Sequence, residues 1–397
     1  MDKEQPNPQH RAALIRKLLH NEISMAELEE MRGWINQDDL AVIIQKIYDL
    51  NEVQVEKIAA LEKAMAWIDG VKNDQRNSRF TKKIKNDFRK SNNKIILAEG
   101  DSWFNYPVVL SDVIDWIAME ENMAVYSLAS GGDWLLNMLN ARKYVEELSV
   151  LHPDVFLISG GGNDLVGSSR VAAMVDPGGT AIPYQKNDFA KSLMEKVAKS
   201  PIVPLNKEKF NQGVLYLSQD FFALLTFFHL QYYFLINGIL TGGTNDPAKG
   251  KFPHIKIITQ GYDYALPSHA WREGWNPRYW YRPLLRNLGH GSWLKTPLQI
   301  RGILDAKVQQ NIVYAMIYLF NEMMIKTGDL FCQMPKVGNR VFHIDSRGSV
   351  GEKGWTDELH PLPEHFRNTG RAFVDCINGK TSIHGQVFVV NPNSVKP

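Results

Sequence analysis

The sequence predicts an α/β protein built on a doubly wound parallel sheet, and three observations lead there. Short, largely apolar runs recur, as central parallel strands require: Ile95-Ile96-Leu97, Met123-Ala124-Val125-Tyr126 and Val155-Phe156-Leu157-Ile158. Each closes on a polar, glycine-rich turn, namely Gly100-Asp101-Ser102, Ser130-Gly131-Gly132-Asp133 and Gly160-Gly161-Gly162-Asn163-Asp164. Between them the apolar spacing turns helical, as in Val113, Ile114 and Ile117 and again over 134–148. Strand, helix, strand, helix, strand with turns at every carboxyl end is the pattern of helices wound on both faces of a sheet.

The rest of the main domain extends that frame. Residues 255–259 and 340–345 resume the strand pattern around a helical run from Ala306 to Lys326, so five parallel strands are available. Residues 166–253 read as an insertion of irregular character. Within it, Phe221 to Ile236 is strongly aromatic but interrupted by His229 and Gln231, and a helix buried between sheet and insertion explains it better than a bilayer span or a lipid-facing or acyl-binding wall.

The first 70 residues are helical by pattern. Ala13, Leu14 and Leu18 share a face, and Ser24 with Glu27 is a capping pair ahead of Leu28, Met31, Trp34 and Ile35. Asp38-Asp39 opens a further segment, and Val55, Ile58, Leu61 and Met65 mark a last one. This acidic stretch reads as a small all-helical module for association or regulation, through self-association or a protein partner, or as a structural extension. Residues 71–93 invert the charge with Lys72, Arg76, Arg79, Lys82, Lys83, Lys85, Arg89 and Lys90. They read as a basic linker before a main domain at 94–397, with contact to a membrane surface as the sharper alternative.

Composition narrows the function classes. The chain has 397 residues, 44% of them hydrophobic, and a formal charge of +2, so no overall field points to nucleic acid. Cys332 and Cys376, the two cysteines, form no metal-ligand spacing and no disulfide framework. The first residues carry no basic head followed by an apolar run, so a cytoplasmic location is expected.

Chemistry must therefore come from a site. A serine hydroxyl is a poor nucleophile until a base takes its proton and a further acceptor holds that base in the right tautomer. Ser102 ends a strand, and His360 follows Asp357 by three residues in Asp357-Glu358-Leu359-His360-Pro361, a spacing that returns the carboxylate to the ring. Of the eleven histidines, His229 and His269 lie in aromatic surroundings, His343 lies within a strand, and His365 lacks a carboxylate at that spacing. Attack on an ester also builds an oxyanion, for which the amides at Ser102 and Gly132 and the side chain of Asn163 stand at three successive strand ends.

These four blocks, in this order and kind, resemble those of the SGNH hydrolases, also called the GDSL esterase/lipase family, over roughly Lys94 to Cys376. The resemblance implies a flavodoxin-like three-layer α/β/α fold with a five-stranded parallel sheet. It also implies Ser102 as nucleophile, His360 as base, Asp357 as its orienter, and Ser102, Gly132 and Asn163 as oxyanion donors, with no metal or cofactor. Trp103 stands where the family usually has leucine, a variant similar to a bacterial branch reading Gly-Asp-Ser-Trp-Phe, and Gly131 is an alternative to Gly132.

The expected activity is hydrolysis of a carboxylic ester by an acyl-enzyme route. The aromatic insertion and the basic stretch favour a lipid or phospholipid ester. A carbohydrate acetyl ester is the alternative, motivated by Trp271, Trp275, Tyr279, Trp280, Tyr281 and Trp293 interleaved with arginines. A third reading is a signalling or defence effector in which the N-terminal helices recruit or restrain the hydrolase.

Overall fold

The computed structural model describes residues 7–19, 27, 30, 70, 72–85, 88–106, 111–180, 183–199, 201–242, 252, 254–267, 293–334 and 337–392. The chain divides into two compact units, Met1–Trp67 and Ile68–Pro397. In the first, helix α1 is Pro8–Leu19, with Lys17 paired to Glu27 at 2.5 Å and His10 to Glu30 at 2.7 Å. The later helices expected before residue 70 and the tryptophan-rich stretch 271–286 lie outside the described residues.

Among the described residues of the second unit the apolar runs become six parallel strands: β1 Lys94–Gly100, β2 Met123–Ser127, β3 Val155–Ser159, β4 Lys256–Gln260, β5 Val341–Asp345 and β6 Val387–Val389. Their order is β2-β1-β3-β4-β5-β6, with helices on both faces of the sheet. Ile96, Leu97, Ala98, Phe156, Leu157, Ile158, Ile257 and Ile258 are buried, as strands covered on both sides must be. The sixth strand corrects the expected five. It is three residues long and follows the last helix, too short for an apolar period to register.

The connections differ from the sequence reading in two places, each for a local reason. The helix expected over 134–148 is two, α4 Leu135–Ala141 and α5 Lys143–Leu151, because Arg142 takes the left-handed conformation (φ 53°). The insertion is not irregular: α7 Asp188–Lys199, α8 Lys207–Val214 and α9 Gln219–Thr241 occupy it. Ser218 caps α9, and Phe221, Phe222, Leu225, Phe228 and Tyr232 are buried, with the Tyr232 hydroxyl donating to the Gly160 carbonyl at 2.8 Å. By length and hydropathy α9 would cross a bilayer, yet that buried side makes it a core helix as expected.

Part of the basic stretch is used inward, while Arg79, Lys82 and Lys85 stay exposed. Residues 72–84 form helix α2, from which buried Arg76 reaches both oxygens of Asp112 at 2.7 and 2.6 Å and Asp115 at 2.9 Å. Lys72 joins them at 2.6 Å from Asp112, and Lys83 donates to the Met123 carbonyl at 2.6 Å. Asp112 is itself the N-cap of α3 (Val113–Ala118), in a reciprocal capping box with Asp115. These cations thus satisfy a helix start and a strand start in this unit.

Candidate active site

The strand order reverses between β1 and β3, since β1 leads to β2 on one side and the chain then returns to β3 on the other. Open α/β sheets form a crevice at the carboxyl ends of such a pair. Gly100 permits the two strand ends to approach, because a Cβ there would lie 2.9 Å from the Ser159 carbonyl oxygen and 2.8 Å from the Phe104 ring. Asp101 continues the ladder by donating its N–H to Ser159 at 3.0 Å. Its carbonyl then accepts from Phe104 and Asn105 at 3.0 Å, and this turn holds Ser102 at the strand end. No acceptor takes the Ser102 N–H among the described residues. Trp103 fills the space behind the serine, edge-on to Tyr262 and Phe366 with centroids 5.5 Å away in each case.

His360 and Asp357 arrive from the loop between β5 and helix α10 (Pro363–Ile377). That loop is closed on itself: Thr356 N–H donates to the His360 carbonyl, and the Asp357 carboxylate accepts the N–H groups of Leu359 and His360, all at 2.8 Å. The result is a continuous chain of side chains. His360 Nε2 lies 2.8 Å from Ser102 Oγ, and His360 Nδ1 lies 2.9 Å from each oxygen of Asp357. Burial alone would raise the Asp357 carboxyl, but the facing imidazole and the two amides outweigh it and hold the group below the usual carboxylate range. The acceptor is therefore an anion at neutral pH, which fixes Nδ1 as the protonated nitrogen and leaves Nε2 to accept from the serine.

Tyr106 was not anticipated as part of this arrangement. Its hydroxyl donates to Asp357 Oδ2 at 3.2 Å, and its ring lies on the His360 ring with centroids 4.5 Å apart. The only sequence signal was an aromatic residue four positions after Ser102, which reads equally well as core.

Asn163 follows β3 on the short helix α6 (Gly162–Val166), entered through Gly161 at φ 100°. Its Nδ2 donates to the Asp133 carbonyl at 3.0 Å. Ser102 and Asn163 line one cavity of about 40 Å³, whose other walls include Val166, Leu294, Val313, Met316 and Ile317. Gly132 does not line it. It sits at φ 82° after β2, on the far side of β1, in a separate polar cavity with Glu99, Asp133 and Lys143.

The remaining candidates sort by burial. His343 is buried on β5 and bonded to Thr259 at 2.9 Å, and burial pushes it down to about 4. His229 stacks on Phe189 at 4.5 Å. Cys332 and Cys376 are free, and burial raises them to about 11 and about 12, so both are thiols at neutral pH. Among the described residues no His, Cys, Asp and Glu cluster suits a metal ion.

Two buried carboxyls beside the site store a pH dependence. Burial, with Asp133 nearby, raises Glu99 to about 8, and burial raises Asp101 to about 6. A carboxyl whose folded value exceeds its unfolded one contributes stability that is present at acid pH and lost as the pH climbs through the folded value. Melting temperature is therefore expected to fall between pH 5 and 9 by less in Glu99→Gln than in the wild type, as thermal denaturation at each pH will read.

No family model matches the chain, and no curated protein does. Among solved structures it is similar to an acetyl xylan esterase variant from Geobacillus stearothermophilus, with TM-score 0.31 and 13% identity over 73% of this chain and 96% of that one. It is also similar to a protein described as a GDSL-like lipase from Parabacteroides merdae, with TM-score 0.25 and 11% identity over 70% of this chain and 94% of the other. At these values no residue role passes from those proteins to this chain.

Proposed function

We propose that the chain is a serine ester hydrolase working through an acyl-enzyme. The observation that carries this reading is the unbroken Ser102–His360–Asp357 chain, with links of 2.8 and 2.9 Å, at the mouth of an apolar cavity. Ser102 Oγ attacks the ester carbonyl carbon as His360 Nε2 takes its proton. The carbonyl π pair moves to oxygen, where the Ser102 N–H and the Asn163 amide are the donors within reach of the same cavity. Collapse expels the alkoxide, which leaves as alcohol with the proton from His360. Water then repeats the sequence on the acyl-serine and releases the acid. Asp357 stays ionised throughout and stabilises the imidazolium.

Asn163→Ala is expected to lower kcat by on the order of a hundredfold with little change in KM, because the lost donor meets charge only in the transition state. Steady-state kinetics on p-nitrophenyl acetate will read it. Gly132, in the neighbouring cavity, is the third donor expected from the sequence.

The cavity also bears on the acyl group. About 40 Å³ is room for roughly three waters. That fits an acyl chain of a few carbons and supports an acetyl-type ester over a long-chain one. The lipid reading has an observation of its own: α9 exposes Phe227 (46%), Leu230 (44%) and Phe234 (66%) along one side, a stripe suited to a lipid surface. Hydrolysis of nitrophenyl esters from acetate to decanoate, with phospholipid vesicles alongside, separates the two. Preference for the short esters supports the first reading, and preference for long chains or vesicles the second.

A further inference from the structure

Between the two triad members of the closing loop lies Glu358, a buried carboxylate that does not face the serine. Its Oε2 accepts the N–H groups of Trp293 and Leu294, each at 3.0 Å, and its Oε1 accepts that of Lys295 at 2.8 Å. Its backbone carbonyl accepts the N–H of Leu266 at 3.2 Å. One residue therefore ties two chain segments, far apart in sequence, to the loop that carries Asp357 and His360.

Both segments are walls of the cavity. Ala265 and Leu294 line it, and Trp293 stands edge-on to the His360 ring with centroids 6.3 Å apart. Leu359, next in the chain after Glu358, lines it as well. Hydrogen bonds from backbone amides to a buried carboxylate are charge-assisted and costly to leave unmade, so the position of Leu294 relative to Ser102 is set by this clamp.

Resting on the ester-hydrolase reading, we infer that Glu358 is a specificity-determining positioning residue: it holds Leu294 as the end wall of the acyl cavity and so limits the length of the acyl chain accepted. Nothing in the sequence separates this function from a solvated acidic residue of the loop. A triad loop built only to carry Asp357 and His360 has no need of three amide partners on another segment.

The test is a double-mutant cycle on acyl-length selectivity, read as the ratio of kcat/KM for p-nitrophenyl hexanoate to that for the acetate. In Glu358→Gln the side-chain NH2 cannot accept, so at least one amide loses its partner and the wall is released. The ratio is expected to rise by about tenfold or more, mainly through a lower KM for hexanoate, as is usual when room for added methylenes opens. The pH profile of kcat for acetate is expected to keep its shape, because the triad is intact. Leu294→Ala is expected to shift the ratio similarly, and the double variant to shift it little further, because both act on one wall. If Glu358→Gln does not fold, as judged by its melting curve, Glu358→Asp, whose carboxylate is retracted by one methylene, takes its place with the same readings. Parallel loss on all chain lengths with an unchanged ratio, or fully additive shifts in the double variant, overturns the proposal while leaving the hydrolase reading in place. A wild-type protein inactive on every ester overturns that reading, and the proposal with it.

Discussion

Ser102→Ala is expected to lower kcat/KM for p-nitrophenyl acetate by at least about 10⁴-fold while leaving the protein folded. The size of the effect follows from the role proposed for the hydroxyl: with no nucleophile no acyl-enzyme would form, and only transition-state binding by the remaining groups would persist. The small structural cost follows from geometry. Among the described residues Ser102 Oγ has one hydrogen bond, to His360 Nε2 at 2.8 Å, and it opens onto the cavity, so its removal leaves no donor stranded in the core. The melting temperature is therefore expected to stay within a few degrees of the wild type. A single-turnover experiment sharpens the test. The wild type should release nitrophenol in a burst if deacylation is the slower step, and the variant should show none. Hydrolysis that survives the substitution undiminished would remove Ser102 from the mechanism and leave the triad geometry without a catalytic explanation.

What the sequence made legible, and what it did not, divides by the range of the interaction. Strands β1 to β5 were readable because burial on both faces demands largely apolar runs, and such runs are local. The Asp357-to-His360 link was readable for the same reason: three residues suffice to fold the carboxylate back on the ring. Ser102 and Asn163 were readable through topology, since adjacent parallel strands deliver their carboxyl-end turns to one crevice. Gly132 shows the limit of that argument. It too ends a strand, but β2 lies on the opposite side of β1 from β3, and only the strand order reveals which cavity it lines. Tyr106 and Glu358 were missed because their partners, Asp357 for the first and Trp293 to Lys295 for the second, are remote in sequence. Three cations of the basic stretch differ in the other direction. Lys72, Arg76 and Lys83 have the composition of a solvated linker, and only their partners show them to be structural.

The largest expected loss of stability is at Arg347, whose role was equally invisible. Its fully buried guanidinium meets both oxygens of Asp345, at 2.9 and 2.5 Å, meets Glu322 at 2.9 Å, and lies over the Tyr318 ring. Burial disfavours the charge, but the two carboxylates outweigh it and hold the guanidinium protonated. Asp345, which burial alone would raise, is held below its usual range by Arg347. Arg347→Met is expected to cost about 3–5 kcal/mol, because it strands two buried carboxyls without a cation, and to lower the melting temperature by on the order of 10 °C. Replacing Arg347, Asp345 and Glu322 together by apolar residues of similar volume should recover most of it.

The pH dependence separates this account from a simple packing defect. In the wild type the depressed Asp345 contributes stability above its unfolded pKa that is lost as the pH falls through the folded value. In Arg347→Met the unpaired, buried Asp345 carboxyl rises instead, so its contribution is greatest in acid and is lost as the pH increases. The difference between the two proteins should therefore shrink on acidification toward pH 4 and widen toward neutrality, whereas a cavity defect would leave it constant.

Activity should respond too, since Arg347 opens the loop that leads from β5 to Asp357 and His360. The next residues of that loop, through the Gly348 and Val350 amides at 2.6 and 2.5 Å, bond to Asp263 on the wall of the Ser102 cavity. A variant that melts lower but retains wild-type kcat below its transition would show that these Asp263 contacts position the loop independently of the buried cation.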